Sequence, residues 1–280
     1  MSNDRRRHPP VCACLFAGPR LESFPNVQTS MPMTECQRLT ESLLSLDKIE
    51  KYYQWIGEEA RPFLGDRLAE IGAGIGTFTN VLIRDHISRH PTARLAVFEP
   101  ERTLFRLLRE RMEHTYPELL RAGRVVTTNG YFHSPPEQFD TVVMINVLEH
   151  IKDDQDAISA AYHSLAPAGV CIVFVPALSW LYSALDQSVG HYRRYERTQL
   201  EQIMRAGGFE VVAAKYMDCM GVLPWYLLNV IGGSTSINPR LAGLYDRWFV
   251  PITRRIERLW RPRIGKNVLI VARKNAPASV

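Results

Sequence analysis

From Arg67 onward the chain alternates short apolar runs with amphipathic stretches, and few folds accommodate that alternation. Leu68–Ile71, Leu95–Phe98, Val125–Thr128 and Thr141–Ile145 read as four strands, and Val170–Val175 as a fifth. The fifth is apolar throughout, as a strand buried on both faces must be. Phe209–Ala214 and Asn267–Ala272 complete about seven. Between them Phe78, Val81 and Leu82, then Leu104, Leu107, Leu108 and Met112, keep helical i, i+3, i+4 spacing. A further helix runs from Ala157 to Leu165, stopped by Pro167 and Gly169. Thr198 with Glu201 makes a capping box ahead of Ile203 and Met204, and Gly207-Gly208 ends that helix. The pattern predicts an α/β fold, a doubly wound and mostly parallel sheet of about seven strands.

Two segments stand outside the alternation. Leu43–Phe63 predicts one helix carrying Tyr52, Tyr53 and Trp55. Between Tyr216 and Lys266 the chain is too long for a hairpin loop and too apolar for a linker. It includes Gly221–Leu228, and then a helix from Pro251 on which Ile252, Ile256, Leu259 and Trp260 share a face among several arginines. The expected organisation is a mobile tail over 1–35 and a single domain over 36–280. Within that domain, 36–65 forms a helical lid and 217–265 an apolar, basic insertion.

The 280 residues carry a net +5, unevenly placed. Arg240–Lys274 holds ten Lys/Arg against two Asp/Glu, so the remainder is net negative. A basic face at one end suits an anionic membrane surface, a phosphorylated substrate or nucleic acid, or simply water. Five cysteines without a C-x-x-C pair exclude a disulfide scaffold or zinc ribbon, and point to a reducing cytosol. The apolar patch Val11–Ala17 behind three arginines is too short for a convincing secretion signal. No apolar run reaches the length of a bilayer-spanning helix.

The chemistry centres on Glu70-Ile71-Gly72-Ala73-Gly74-Ile75-Gly76-Thr77, directly after a strand and directly before a helix. Glycines let backbone turn sharply and approach a ligand where a Cβ would collide. The following helix start presents free N–H groups. Glu99 closes the second strand, near the spacing at which a carboxylate reaches a ribose diol. The ligand is therefore expected to carry a nucleoside. The spacing G-x-G-x-G departs from the dinucleotide pattern G-x-G-x-x-G, and an acidic Glu70 at the turn repels a pyrophosphate. A sulfonium ligand meets no such objection, so S-adenosylmethionine is favoured over NAD.

Glu70–Gly76 resembles the E-x-G-x-G-x-G motif of class I S-adenosylmethionine-dependent methyltransferases. Phe139–Val143 with Asn146-Val147-Leu148-Glu149-His150 is similar to that family's F-D-x-V…L-E-H segment. Leu165-Ala166-Pro167-Ala168-Gly169 resembles its L-x-P-G-G turn, with Ala168 replacing the first glycine. The resemblance implies the Rossmann-like methyltransferase fold and S-adenosylmethionine held by Glu70, Gly72, Ala73, Gly74, Gly76, Glu99 and Asn146. Where many members carry G-D after strand three, Asn129-Gly130 stands, with Asn129 a candidate adenine contact. Gly190-His191-Tyr192-Arg193-Arg194-Tyr195 looks like the G-H-x-R-R-Y segment of a bacterial subgroup acting on small or lipid-like acceptors.

These residues imply methyl transfer to a hydroxyl or amine. His191, then His150, are candidate general bases. Tyr192 and Tyr195 would orient the acceptor, Arg193 and Arg194 would hold an anionic group, and Tyr52 and Trp55 would line the lid. Displacement at an already activated carbon needs no metal. The insertion suggests peripheral membrane contact. Nucleic acid is disfavoured, there being no asparagine-proline-proline-aromatic run. The competing functions are a non-catalytic module of the same fold that binds a partner or membrane, and, more weakly, an NAD-dependent oxidoreductase.

Overall fold

The computed structural model describes residues 33–132 and 138–275. Seven strands form one sheet: β1 (Arg67–Ile71), β2 (Arg94–Glu99), β3 (Val125–Asn129), β4 (Phe139–Ile145), β5 (Leu165–Pro176), β6 (Phe209–Met217) and β7 (Asn267–Lys274). Their order is β3-β2-β1-β4-β5-β7-β6. The first five pair in parallel, and β7 runs antiparallel between β5 and β6. Strand order reverses beside β1, which places a crevice at the carboxyl ends of β1, β2 and β4.

Helices cover both faces. On one lie α2 (Glu50–Ala60), preceded by α1 (Met33–Leu46), then α3 (Thr77–Leu82), α4 (Arg102–Thr115) and the short α5 (Pro117–Arg121). Trp55, Ile56, Leu82 and Ile83 pack there against Leu68, Leu95, Val143 and Ile172. The other face carries α6 (Asp154–Ser164) and α8 (Arg197–Ala206), with the short α7 (Ala184–Ser188) between them in the chain. There Ile158, Leu200 and Met204 bury Val142, Met144, Val173 and Ile270. Alternating side chains of β4 and β5 feed the two cores, as a strand covered on both faces requires.

Three local expectations differ from what is observed. The single helix expected over Leu43–Phe63 is two, because Asp47 leaves the helix to accept hydrogen bonds from both Arg111 nitrogens and from the Thr77 hydroxyl, at 2.6–2.7 Å. The capping box of α8 is Glu196 with Gln199 rather than Thr198 with Glu201. Ala168 adopts φ 63°, the left-handed conformation for which the resembling turn uses glycine. Residues 1–32 of the expected tail, with Cys12 and Cys14, lie outside the described residues; its remaining three residues begin α1.

Between β6 and β7 the insertion folds into α9 (Val222–Trp225), α10 (Pro239–Leu244) and α11 (Val250–Leu259), joined by wider helical turns. α1 touches α7 and α10, so the amino-terminal helix links the glycine turn to the insertion. The insertion buries Val222 and Val250 but leaves most of its large apolar residues exposed. Among the described residues, fourteen of nineteen exposed large apolar side chains lie between Leu223 and Ile264, with Leu259 92% exposed. No described helix is long and apolar enough to cross a membrane.

Candidate active site

One cavity runs from the glycine turn to the insertion, bounded by the carboxyl ends of β1, β2, β4 and β5. Leu39, Ser42, Leu43 and Leu46 of α1 and Tyr52 and Tyr53 of α2 cover it.

At the turn end, Gly72, Gly74 and Gly76 all have φ between 58° and 85°. The Gly72 and Ala73 N–H groups donate to the Phe98 carbonyl at 2.8 and 3.1 Å, locking the turn to β2. A Cβ at Gly72 would stand 2.7 Å from Val147, and one at Gly74 would face Leu43 of α1. Gly76 has a different reason: its Cβ would strike Leu108 of α4 at 2.7 Å, and it does not line the cavity. Gly76 thus packs the turn against α4.

Two carboxylates are buried here without a basic partner among the described residues. Glu99 is 4% exposed; its oxygens accept from the Gly74 N–H at 2.7 Å and the Glu101 N–H at 2.9 Å. Burial pushes its carboxyl up to about 7 despite those two N–H groups. Glu70 is also buried, and Oε2 has no hydrogen-bond partner. Burial, with the Glu99 charge adding, pushes it up to about 8. Asn146 sits opposite at φ 54°, its buried Oδ1 likewise without a partner. Unpaired buried acceptors around a glycine cradle fit a ligand that brings cationic and N–H or O–H groups. S-adenosylmethionine carries a sulfonium, an ammonium and a ribose diol. Asn129 is not among the lining residues. Its side-chain amide donates instead to the Glu99 and Pro100 carbonyls, at 2.9 and 3.2 Å, bracing β2 against β3.

The opposite end is made of side chains. Asp186, 1% exposed, accepts from the Ser183 N–H and hydroxyl, from Arg194 Nε at 3.0 Å, and lies 2.9 Å from His191 Nδ1. Burial raises its carboxyl, but the His191 hydrogen bond and the Arg194 charge outweigh that and hold it below its ordinary range. His191 Nε2 then faces Glu149 Oε1 at 3.9 Å, and its ring meets His150 edge to face. Burial, then the neighbouring His191, hold the His150 imidazole well below its ordinary value. Burial raises Glu149 to about 8.

Within the G-H-x-R-R-Y segment the structure divides the expected roles. His191 and Arg194 line the cavity; Tyr192, Arg193 and Tyr195 do not. Arg193 is tied to Asp154 and the Lys152 carbonyl. Tyr195 is fully buried, donating to the Leu148 carbonyl and Asp154. Arg194 pairs with Asp186 and the Ala177 carbonyl and lies over the Trp225 ring, so its guanidinium is engaged within the wall. Trp55 is also core, 1% exposed, whereas Tyr52 reaches the cavity, donating to Asn267 Oδ1 at 2.8 Å.

Asp186, Glu149 and Lys266 are lining residues absent from the sequence-derived site, and Trp225 lines it from the insertion. Asp186 opens the segment running into G-H-x-R-R-Y and Glu149 stands inside L-E-H, so both were within sight. Lys266 carried no signal: its ammonium reaches the Tyr52, Trp225 and Tyr245 rings only through the fold of the insertion, and pairs with Asp218 at 3.0 Å.

The family described as Methyltransferase domain matches residues 41–214, more than half of the chain. The chain belongs to that family. It is an S-adenosylmethionine-dependent methyltransferase, and the glycine turn, Glu70 and Glu99 fall inside the matched span. No curated protein matches the sequence. Among solved structures, similar folds include a sarcosine dimethylglycine methyltransferase assigned from Galdieria sulphuraria, at TM-score 0.54 and 14% identity over 80% of this chain and 85% of that one. The YcgJ protein of Bacillus subtilis aligns at 0.51 and 14%, covering 80% and 98%. The [4+2]-cyclase SpnF aligns at 0.52 and 16%, covering 81% and 82%. At such identities these likenesses concern the fold alone.

Proposed function

We propose that this methyltransferase transfers the methyl group to a hydroxyl or amine of a small, lipid-like acceptor. The observation that carries this reading is the single cavity whose turn end is made of backbone and unpaired carboxylates, and whose other end holds His191 against Asp186. S-adenosylmethionine supplies an electrophilic methyl carbon when bound. Gly72, Ala73 and Gly74 would lie against its methionine portion, Glu70 and Asn146 would meet its polar groups, and Glu99 would accept from its ribose.

At the far end, Asp186 bonds Nδ1 of His191 and turns Nε2 toward the cavity, where it would take the acceptor's proton. A positioned base of this kind contributes about 10²–10⁴-fold; alignment of acceptor and methyl group supplies the larger share. α1 and α2 would serve as a lid, since their side chains cover both halves of the cavity. Gly190–Tyr195 would mark the subgroup that uses such acceptors.

The insertion favours a membrane as the source of acceptor. Ile252, Ile256 and Leu259 of α11 are exposed beside Arg255 and Arg258, and Trp225 and Ile237 of the same insertion wall the cavity. An apolar face flanked by cations suits an anionic bilayer. Arg254 pairs with Glu58 of α2, so charge reversal is best made at exposed Arg255 and Arg261. Reversal is expected to reduce co-sedimentation with anionic vesicles, and unchanged sedimentation would dispose of the membrane source. The decisive test of the reaction is incubation with methyl-labelled S-adenosylmethionine and a lipid extract. Label is expected in an organic-soluble product; cofactor binding without any labelled product would instead favour a binding module.

A further inference from the structure

The histidine end of the cavity contains a carboxylate that the proposed reaction leaves without a role. Glu149 is fully buried, and neither of its oxygens has a hydrogen-bond partner among the described residues. A carboxylate desolvated to that degree is ordinarily paired or bound to a metal. Two imidazoles lie against it. The His150 and His191 ring centroids are 4.5 Å apart at 84°. One donor atom from each of Glu149, His150 and His191 lies within 4.8 Å of the others.

The His191 imidazole is also held from behind. His191 Nδ1 bonds Asp186 Oδ1 at 2.9 Å, which leaves Nε2 pointing to Glu149. His150, 8% exposed, is fixed by burial and by the His191 ring against it. Outer hydrogen bonds like that of His191 fix the tautomer and aim of metal-ligating histidines. Asp186 is itself engaged by Arg194, so it supports the group without joining it.

We propose that Glu149, His150 and His191 bind a divalent transition-metal ion, leaving an open coordination position toward the cavity. Two imidazoles, one carboxylate and no thiolate suit zinc, cobalt or iron(II) better than magnesium or calcium, which take oxygen ligands. Bonds of about 2.0–2.2 Å require the three side chains to draw together slightly on binding. With the ion in place Nε2 of His191 is a ligand, and an acceptor hydroxyl in the open position loses its proton more readily to water. The ion and the free imidazole are thus alternative ways of running one end of the cavity. The inference stands on this geometry and not on the identity of the methyl donor.

The full chain, stripped with a chelator, is titrated with Co²⁺ and followed by visible absorption. The expected result is saturation at one equivalent, with a band that Zn²⁺ abolishes and with a melting temperature raised by either ion. Glu149→Gln and His191→Asn, which keep side-chain volume close to the original, should each weaken Co²⁺ binding by at least about 100-fold. Metal-free circular dichroism shows whether each variant folds. No saturable band in the wild type, or a band unchanged in both folded variants, overturns the proposal. S-adenosylhomocysteine titrated into the same wild-type sample reports separately on the functional reading: its failure to bind beside a saturable Co²⁺ band would sink that reading alone.

Discussion

Glu99 and Asp186 stand toward opposite ends of one cavity and both are almost wholly buried, yet they are held in opposite ways. Main-chain N–H groups hold Glu99, no cation approaches it among the described residues, and its carboxyl is raised to about 7. Side chains hold Asp186: the serine that caps the start of α7, and a histidine and an arginine from the loop after it. Its carboxyl is held low. A buried carboxylate without a cation gains from a positively charged visitor; one already neutralised by Arg194 gains nothing from it. The first end is thus suited to binding, and the second to holding a base in place.

If Asp186 is a structural pivot, removing it should cost most. Asp186→Ala leaves Arg194 buried and unpaired, with an expected loss of about 3–5 kcal/mol in chemical denaturation. A loss near zero would mean that Arg194 finds another partner, and would erase the distinction between the two ends. Glu99→Ala should act on binding instead. Loss of charge-assisted hydrogen bonds worth about 1.5–3 kcal/mol predicts roughly ten- to hundredfold weaker cofactor affinity by calorimetry.

Titration sharpens the same contrast. Ionised Glu99 is the better hydrogen-bond acceptor, and its carboxyl is raised to about 7, so cofactor affinity should climb by up to about tenfold from pH 6 to pH 8. Glu70, raised to about 8 in the folded chain, binds its proton more tightly there than when unfolded. Its contribution to stability is therefore full below the ordinary carboxyl range and is lost as pH rises toward 8. Glu70→Gln should flatten that part of the apoprotein's melting profile relative to wild type. The smallest effect is expected far from both ends: Ala168→Gly relieves a left-handed alanine and should stabilise by about 0.5–1 kcal/mol.

The two ends also differ in how far the sequence disclosed them. The glycine turn is local: Glu70 to Thr77 are contiguous, and the strand before and helix after them fix the geometry. Glu99 follows because β2 pairs with β1 in parallel register, with Ile71 opposite Phe98. A motif does not say which of its residues also serve packing: Gly76 lies against Leu108, and the Asn129 amide donates to the Glu99 carbonyl. The far end is assembled from the turn after β4, from α7 and the loop after it, and from the insertion, whose contacts join residues far apart in sequence. Among Gly190–Tyr195, composition suggested proton transfer and anion binding throughout, but only His191 and Arg194 line the cavity. Tyr195 and Arg193 were drawn inward by Asp154, a partner that no local pattern announces.

Isothermal titration of S-adenosylhomocysteine into the wild-type chain and into Glu99→Ala, at pH 7.5 or thereabouts, addresses the binding end without intermediaries. One site per chain in the wild type, weakened roughly ten- to hundredfold in the variant, is the expected outcome. No heat of association in the wild type, or equal affinity in the two proteins, would contradict the assignment of the glycine turn and Glu99 as the cofactor's seat.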